Sequence, residues 1–372
     1  MTDVAVLDLG EIRAADAGRV GPKMARLASL AADGWRVPDG YAVTASALDG
    51  WLPAPARSEL ARLFTAPVPG HGELPELPLS ELAGRARALV ESQPLPPWLE
   101  EAVASAHARL AARTGRQAAL RVAVRSSAVS EDGHAASFAG QYETYLGVSG
   151  VADVLLHIRK CWASGFSAHA LTYRRRFGGA APVRVHDLAV GVLELVDARS
   201  AGVAFTLDPV TGDRSTLVVE GNWGFGESVV SGQVTPDHWT VDRATGRVLT
   251  ARVGAKLSWA TYSQDSGRVV LSPLPDDLIG EACLTEDEVR YICERATAIE
   301  SAAGGVPQDV EWAVAWDLPF PDSVYFLQHR PETTWNSPPD EDPAAGSASE
   351  PAKPAFDPVQ YALRNVFKVP GA

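Results

Sequence analysis

Residues 125–144, RSSAVSEDGHAASFAGQYET, hold one arginine, four serines, three carboxylates and two glycines, and their apolar members are mostly alanine. A buried strand, AALRVAV, runs into Arg125, Ser126 and Ser127, and the small-residue run Ser137, Phe138, Ala139, Gly140 follows. Such a loop lets backbone N–H groups approach an anion closely while the guanidinium adds a fixed charge. Phosphate is the simplest ligand of that kind. A solvated serine-rich turn accommodates the same composition. The pattern GxxxxGK[ST] is absent, so this is not a P-loop. His134, inside the stretch, is either a phosphoryl carrier or a solvated neighbour, and Glu131 and Asp132 either order the loop or relay a proton.

A second glycine-rich stretch, EGNWGFGESVVSGQVTPDHW at 220–239, offers Gly221, Gly224, Gly226 and Gly232 with Glu227 and two serines. Tight turns between strands would use the same glycines. A third constellation sits on two strand-like runs, DVEWAVAW and SVYFLQHR, joined by DLPFPD. Alternate strand residues share a face, which puts Asp309 with Glu311 on one strand and Gln328 with Arg330 on the other. If the hairpin register aligns those faces, a carboxylate and an amide oxygen converge beside a guanidinium. Mg²⁺ binds nucleotides with one or two protein oxygens plus phosphate oxygens, so this is a possible metal position; a half-exposed surface ion pair is the structural alternative.

The elements that have to position these groups follow from the patterning. Met24, Leu27 and Leu30 share one side of a helix, and GYAVTAS at 40–46 reads as a strand. Residues 66–79, rich in proline and glycine, read as a loop, and 80–115 as helical. A helix is expected over 151–176, and strands dominate 186–250, with turn chemistry at DPVTGD and RATGR. A helix covers 285–302. Beyond Pro331 the chain turns into a Pro, Ala, Ser and acid linker that cannot bury enough apolar area to order itself, closed by the helix-like FDPVQYALRNVFKVPGA.

Composition sets the outer limits. The 372 residues exceed one average domain, and 46% hydrophobic with 21% charged residues describes a globular protein. A formal charge of −13 opposes a nucleic-acid surface, so any phosphate has to be held locally. Neither a signal peptide nor a membrane span is expected. Cys161, Cys283 and Cys293 make neither a CxxC metal site nor an even disulfide set, which fits a reducing, cytoplasmic setting.

Eight ordered stretches together resemble one family: GPKMARLASL (21–30), GWRVPDGYAVT (34–44), VAVRSSAVSEDGHAASFAGQYETYLGV (122–148), CWAS (161–164), AGVAFTLDPVTGDR (201–214), WGFGESVVSGQVTPD (223–237), QDVEWA (308–313) and LQHRPET (327–333). They look like the amino-terminal nucleotide-binding domain of phosphoenolpyruvate synthase and pyruvate phosphate dikinase, also found in rifampin phosphotransferase. The resemblance implies an α+β, ATP-grasp-like fold whose two subdomains, 1–185 and 186–335, enclose a cleft for ATP and Mg²⁺; residues 336–372 are read from their composition as a flexible, disordered linker and a short helical tail that would dock onto a partner. It places Lys23 at the phosphate-binding lysine and Arg125 at the arginine that contacts the polyphosphate. Ser137, Gly140 and Thr144 fall on the loop over the phosphates. Glu311 and Gln328 match the metal ligands, and Arg330 matches the arginine of the closing RP motif. The run LAVGVLELV aligns with the adenine hinge, so Glu194, Leu195 and Val196 meet the base mainly through backbone groups.

Departures from the family are specific. Pro22 and Met24 replace glycines and stiffen the turn around Lys23. Leu193 stands where glutamine is common and removes a side-chain hydrogen bond to the base. None of the eight histidines has the GGxxxH-type setting of the family's phosphorylated histidine, and the stretch after RPET is too short for the swivelling and acceptor-binding domains. The expected activity is therefore phosphoryl transfer from ATP, giving AMP and phosphate, onto a histidine of a separate partner protein or onto a small acceptor. A stand-alone kinase or ATP-dependent ligase acting on a small metabolite, and a nucleotide-binding module without turnover, are the alternatives.

Overall fold

The computed structural model describes residues 4–65, 78–117, 119–129, 143–167, 188–230 and 232–335. These residues fall into two compact units. The first is drawn from Met1–Gly34, Pro38–Leu195 and Gln264–Arg268, the second from Trp35–Val37, Val196–Ser263 and Val269–Ala372. The division therefore lies between Leu195 and Val196, later than the expected 185/186. The reason is that the strand following residue 186 is central to the first unit's sheet.

That sheet has five antiparallel strands in the order β1-β2-β5-β3-β4. Its members are β1 (Val6–Asp8), β2 (Gly40–Val43), β3 (Arg121–Ala128), β4 (Thr144–Ser149) and β5 (Leu188–Glu194). Side chains alternate across it. Val43, Val122, Val124, Val190 and Val192 join one apolar core with α2 (Ala45–Trp51), α3 (Ala54–Thr65), α4 (Leu79–Ser92), α5 (Pro97–Thr114) and α6 (Val151–Ser164). Within that core Trp51 and Trp162 stack at 5.0 Å, and each indole N–H is satisfied by a carbonyl, of Pro94 and Leu188. The opposite face carries Arg125, Ser127 and Gly191, and α1 (Ala17–Ala32) lies over it.

Local chemistry sets the helix ends. Pro97 opens α5 at a position whose N–H has no helical partner, and Gly115 closes it at φ 69°. The helical spacing expected over 80–115 is interrupted by the run SQPLPP, so two helices form. The strand-like GYAVTAS shortens to β2 because Thr44 pairs its N–H with the Ala5 carbonyl (2.9 Å) and the chain turns into α2. The helix expected over 151–176 ends at Ser164, capped by Gly165; residues 168–187 lie outside the described set.

The second unit is built on a six-stranded antiparallel sheet, β13-β12-β6-β7-β8-β9. It comprises β6 (Ala198–Phe205), β7 (Thr216–Trp223), β8 (Asp237–Asp242), β9 (Val248–Arg252), β12 (Gln308–Ala315) and β13 (Val324–Pro331), and a separate hairpin joins β10 (Ser258–Ser263) to β11 (Arg268–Pro273). After the short α7 (Glu227–Val230), α8 (Glu286–Ala302) begins with a reciprocal cap: Glu288 N–H donates to Thr285 Oγ1 (3.3 Å) and Thr285 N–H to Glu288 Oε2 (2.8 Å). The α+β class expected from the sequence holds. No helix among the described residues is long and apolar enough to cross a membrane. The linker and tail expected at 336–372 lie outside the described set.

Candidate functional site

Lys23 owes its position to its neighbours. Gly21 adopts φ 75°, ψ 160° and breaks α1 into two helical pieces, the second starting at Pro22. Proline suits the first helical position, so the replacement at 22 preorganises the turn. A Cβ on Gly21 would lie 2.7 Å from the Ser127 carbonyl carbon, which ties the turn to the end of β3. Met24, buried at 1% exposure, fills the space over Gly191: a Cβ there would overlap the thioether and lie 3.5 Å from Arg125 Cγ. Lys23, half-buried, stands between these two anchor points on the first turn of the helix. The amino end of a helix, a lysine and the Arg125 face of β3 thus meet in the first unit, a combination suited to an anion. The Ser127 hydroxyl is buried there with no hydrogen-bond partner among the described residues.

Arg125 pairs across the sheet with Thr144 of β4 and Gly191 of β5. Glu143, next to Thr144, is held by Arg87 (2.7 Å) and by the Tyr145 hydroxyl. The buried Cys161 thiol, pushed up to about 12 by desolvation, is inert as a nucleophile at neutral pH. Ser137 and Gly140 lie outside the described residues, as do Glu131, Asp132 and His134.

At the end of β5, Leu193 is buried and packs against Gly40, where a Cβ would sit 2.7 Å from Leu193 Cδ2. The Glu194 and Leu195 N–H groups donate to the carbonyls of Asp39 and Arg121, each at 2.8 Å. Those two donors therefore serve the sheet, which narrows the backbone groups that a base could meet at this segment. Val196 is the first residue of the second unit.

In the second unit the β12–β13 register places Glu311 opposite Gln328 and Asp309 opposite Arg330, with a bulge between Glu311 and Trp312. Arg330 Nε donates to Asp309 Oδ2 at 2.9 Å, and Nη2 forms an ion pair with the same oxygen at 2.9 Å. Burial pushes the Asp309 carboxyl up to about 6, Arg330 pulls it back down, and Glu332 and Glu311 add to the rise. Asp309 Oδ1 is buried and accepts no hydrogen bond among the described residues. The sequence put Asp309 on this face without giving it a role; its alternation with Glu311 was the available signal. No cluster of three His, Cys, Asp or Glu side chains that could hold a metal occurs among the described residues.

The second glycine-rich stretch does different work. A Cβ on Gly221 would come within 2.8 Å of the fully buried Trp312 ring, and Gly224, at φ 76°, lies against the Ala260 carbonyl. Gly224 N–H donates to Arg199 O (2.8 Å) and Phe225 N–H to Ala260 O (2.9 Å), so these glycines admit close backbone packing.

Comparison with known proteins places the chain. Residues 17–350 match the model of the family described as pyruvate phosphate dikinase, AMP/ATP-binding domain. The chain belongs to this family. A probable phosphoenolpyruvate synthase of Staphylothermus marinus is 36% identical over 349 residues, covering 88% of this chain and 41% of that protein. A rifampicin phosphotransferase of a Streptomyces species is 38% identical over 339 residues, 91% of this chain and 37% of that protein. A phosphoenolpyruvate synthase of Aeropyrum pernix is 33% identical over 381 residues, 95% of this chain and 44% of that protein. The chain thus spans less than half the length of each of these relatives. The resemblance read from the eight stretches is borne out. In this AMP/ATP-binding domain family, Lys23, Arg125, Thr144, Glu194 and Leu195 belong to the first unit, and Val196, Glu311, Gln328 and Arg330 to the second.

Proposed function

We propose that this chain is the ATP-binding component of a phosphoenolpyruvate synthase-like dikinase, with an ATP-grasp-like arrangement in which ATP yields AMP and phosphate and a phosphoryl group passes to a histidine of a separate polypeptide or to a small acceptor. The observation that carries the reading is the register of β12 and β13, which sets Glu311 against Gln328 beside the Asp309–Arg330 pair. An oxygen-only donor set with an unsatisfied buried carboxylate oxygen fits a hard cation such as Mg²⁺. Glu311 and Gln328 would hold it, with Asp309 alongside, and the bound ion would neutralise charge on the nucleotide's phosphates.

The remaining work belongs to the chain's own groups. Lys23 and Arg125 bind and orient phosphate oxygens, helped by the amide groups at the start of the second piece of α1 and by Thr144, with Ser137 and Gly140 on the covering loop. Arg330 supplies positive charge where it develops during transfer. The end of β5, Glu194 to Val196, meets the base through backbone groups other than the Glu194 and Leu195 N–H, which are committed to the sheet. Leu193, turned onto Gly40, contributes packing there in place of a side-chain hydrogen bond.

A small-molecule acceptor is favoured by a specific observation, the 38% identity to a rifampicin phosphotransferase. Phosphorus NMR of the protein with ATP and Mg²⁺ separates the readings. AMP and phosphate appearing only with a histidine-domain protein support the first; turnover on addition of a small hydroxyl acceptor supports the second. Bound but unchanged ATP under every condition overturns both.

A further inference from the structure

In the first unit's sheet, the rung that carries Arg125 and Thr144 is gripped from the face opposite to it. Successive strand residues point to opposite faces, so Thr144 shares a face with Arg125, its partner across the ladder, while Glu143 and Tyr145 point to the other. That other face is the one the helices cover: Val124, which pairs with Tyr145, belongs to the apolar core, and the Tyr145 ring packs against that core.

Both oxygens of the Glu143 carboxylate are engaged on that side. Arg87, on α4, donates Nη2 to Oε1 at 2.7 Å, and the Tyr145 hydroxyl donates to Oε2. Tyr145 is steadied in turn by α6: its ring centroid lies 4.7 Å from that of His157, and the Lys160 ammonium sits 5.7 Å from it. The backbone is held as well, because the Glu143 carbonyl accepts the Ser126 N–H (3.3 Å), the Ser126 hydroxyl (3.4 Å) and the Cys161 thiol (3.8 Å). A charge-assisted bond to one oxygen and a hydroxyl on the other fix the orientation of the carboxylate. The side chains of Arg87 and Glu143 are each 34% exposed, so screening leaves the ion pair little to add to stability. Its geometric effect on Thr144, which lies between two anchored neighbours, is the larger consequence.

We infer that Arg87 and Tyr145 are positioning residues for phosphate binding: acting through the Glu143 carboxylate from the helical face of the sheet, they hold Thr144 beside Arg125 on the opposite face, where the threonine hydroxyl donates to an oxygen of a polyphosphate. The inference rests on the proposed phosphate role of Thr144 and Arg125. The charge of Arg125 acts over several ångströms, whereas the hydroxyl contact needs its donor and acceptor within about 3 Å, so loosening this rung costs the Thr144 contact first.

The test is titration calorimetry of the full chain with tripolyphosphate and Mg²⁺, at a temperature where circular dichroism shows every variant folded, on the wild type, Arg87→Ala, Arg87→Lys, Tyr145→Phe, Thr144→Val and the Arg87→Ala/Thr144→Val double variant. Arg87→Ala and Tyr145→Phe are each expected to weaken tripolyphosphate binding by about threefold to tenfold. Arg87→Lys, which keeps the positive charge but not the fixed N–H geometry, should fall between wild type and Arg87→Ala; it also serves if the alanine variant does not fold. The double variant should bind as Thr144→Val alone does, because the clamp acts through that hydroxyl. Losses that add in the double variant overturn the positioning role, since a general loosening of the unit would give that result. Unchanged affinity in Arg87→Ala and Tyr145→Phe, with Thr144→Val weakened, overturns it too. A wild type that does not bind tripolyphosphate, or a Thr144→Val variant that binds it as tightly as wild type, overturns the phosphate role of Thr144 itself.

Discussion

Two buried carboxylates in the second unit are each paired with a cation, and they differ in what remains unsatisfied. Asp237 and Lys256 are both fully buried. Asp237 Oδ1 takes the Lys256 ammonium and the Gly254 N–H (2.8 Å), Oδ2 takes the Cys283 N–H (2.8 Å), and Lys256 also donates to Glu281 O (3.0 Å). Asp309 is paired with Arg330 just as directly, yet its Oδ1 is buried without a hydrogen bond among the described residues and its carboxyl is pushed up to about 6. A buried charge with complete hydrogen bonding binds chain segments together, here β8, the loop before β10 and the loop before α8. One left incomplete in the protein alone points to a ligand that completes it. Both carboxylates are buried beside a cation, although Arg330 is 39% exposed and Lys256 is not exposed at all; the unmet valence separates scaffold from site.

The comparison breaks if the two pairs respond alike to mutation. Lys256→Met should have the largest effect, because removing one partner leaves Asp237 buried and uncompensated, at a cost of about 3–5 kcal/mol. Chemical denaturation should show the second unit unfolding well before the first, or no soluble protein at all. A loss below about 1 kcal/mol would mean that water or rearrangement takes over the lysine's role. Glu311→Gln should behave in the opposite way. Denaturation should stay within about 1 kcal/mol of wild type, since Glu311 is only half-buried, while Mg²⁺-dependent nucleotide turnover falls by about 10²-fold. Retained turnover with lost stability would make the β12–β13 face a scaffold like Asp237–Lys256.

The sequence made the local half of this picture readable. Strand alternation alone put Asp309 with Glu311 and Gln328 with Arg330, and the observed register aligns those faces. The helix expected over 285–302 is α8, Glu286–Ala302. Contacts whose cause is distant in sequence were not legible. Met24 reads as a departure next to Lys23 until Gly191 is seen to leave room for its thioether. Arg87 and Glu143 lie 56 residues apart, and neither residue type nor spacing marks them as a pair beside Thr144. The glycines of 220–239 illustrate the converse: their number resembles a phosphate loop, but Trp312 and Ala260 occupy the space they leave.

The smallest expected effect uses pH to set an isolated unsatisfied group against Asp309. His107, on α5, is buried with Nδ1 lacking a hydrogen-bond partner among the described residues, and burial holds its pKa below the ordinary 6.5. The unfolded chain therefore takes up the proton more readily than the native one. Stability from this residue is complete above pH 6.5 and is lost as pH falls through that value. Asp309 runs the other way: with its carboxyl raised to about 6, the native state is penalised above that pH and relieved as pH falls from about 6 toward 3.8. The two trends oppose each other, so the wild-type melting curve alone conceals both. His107→Leu removes only the first. The difference in melting temperature between wild type and variant should therefore change in the variant's favour between about pH 7.5 and pH 5.5, by a few degrees at most. A difference that stays constant over that range would show that His107 finds a partner or water in solution. An unpaired buried atom would then be too weak a marker to single out Asp309.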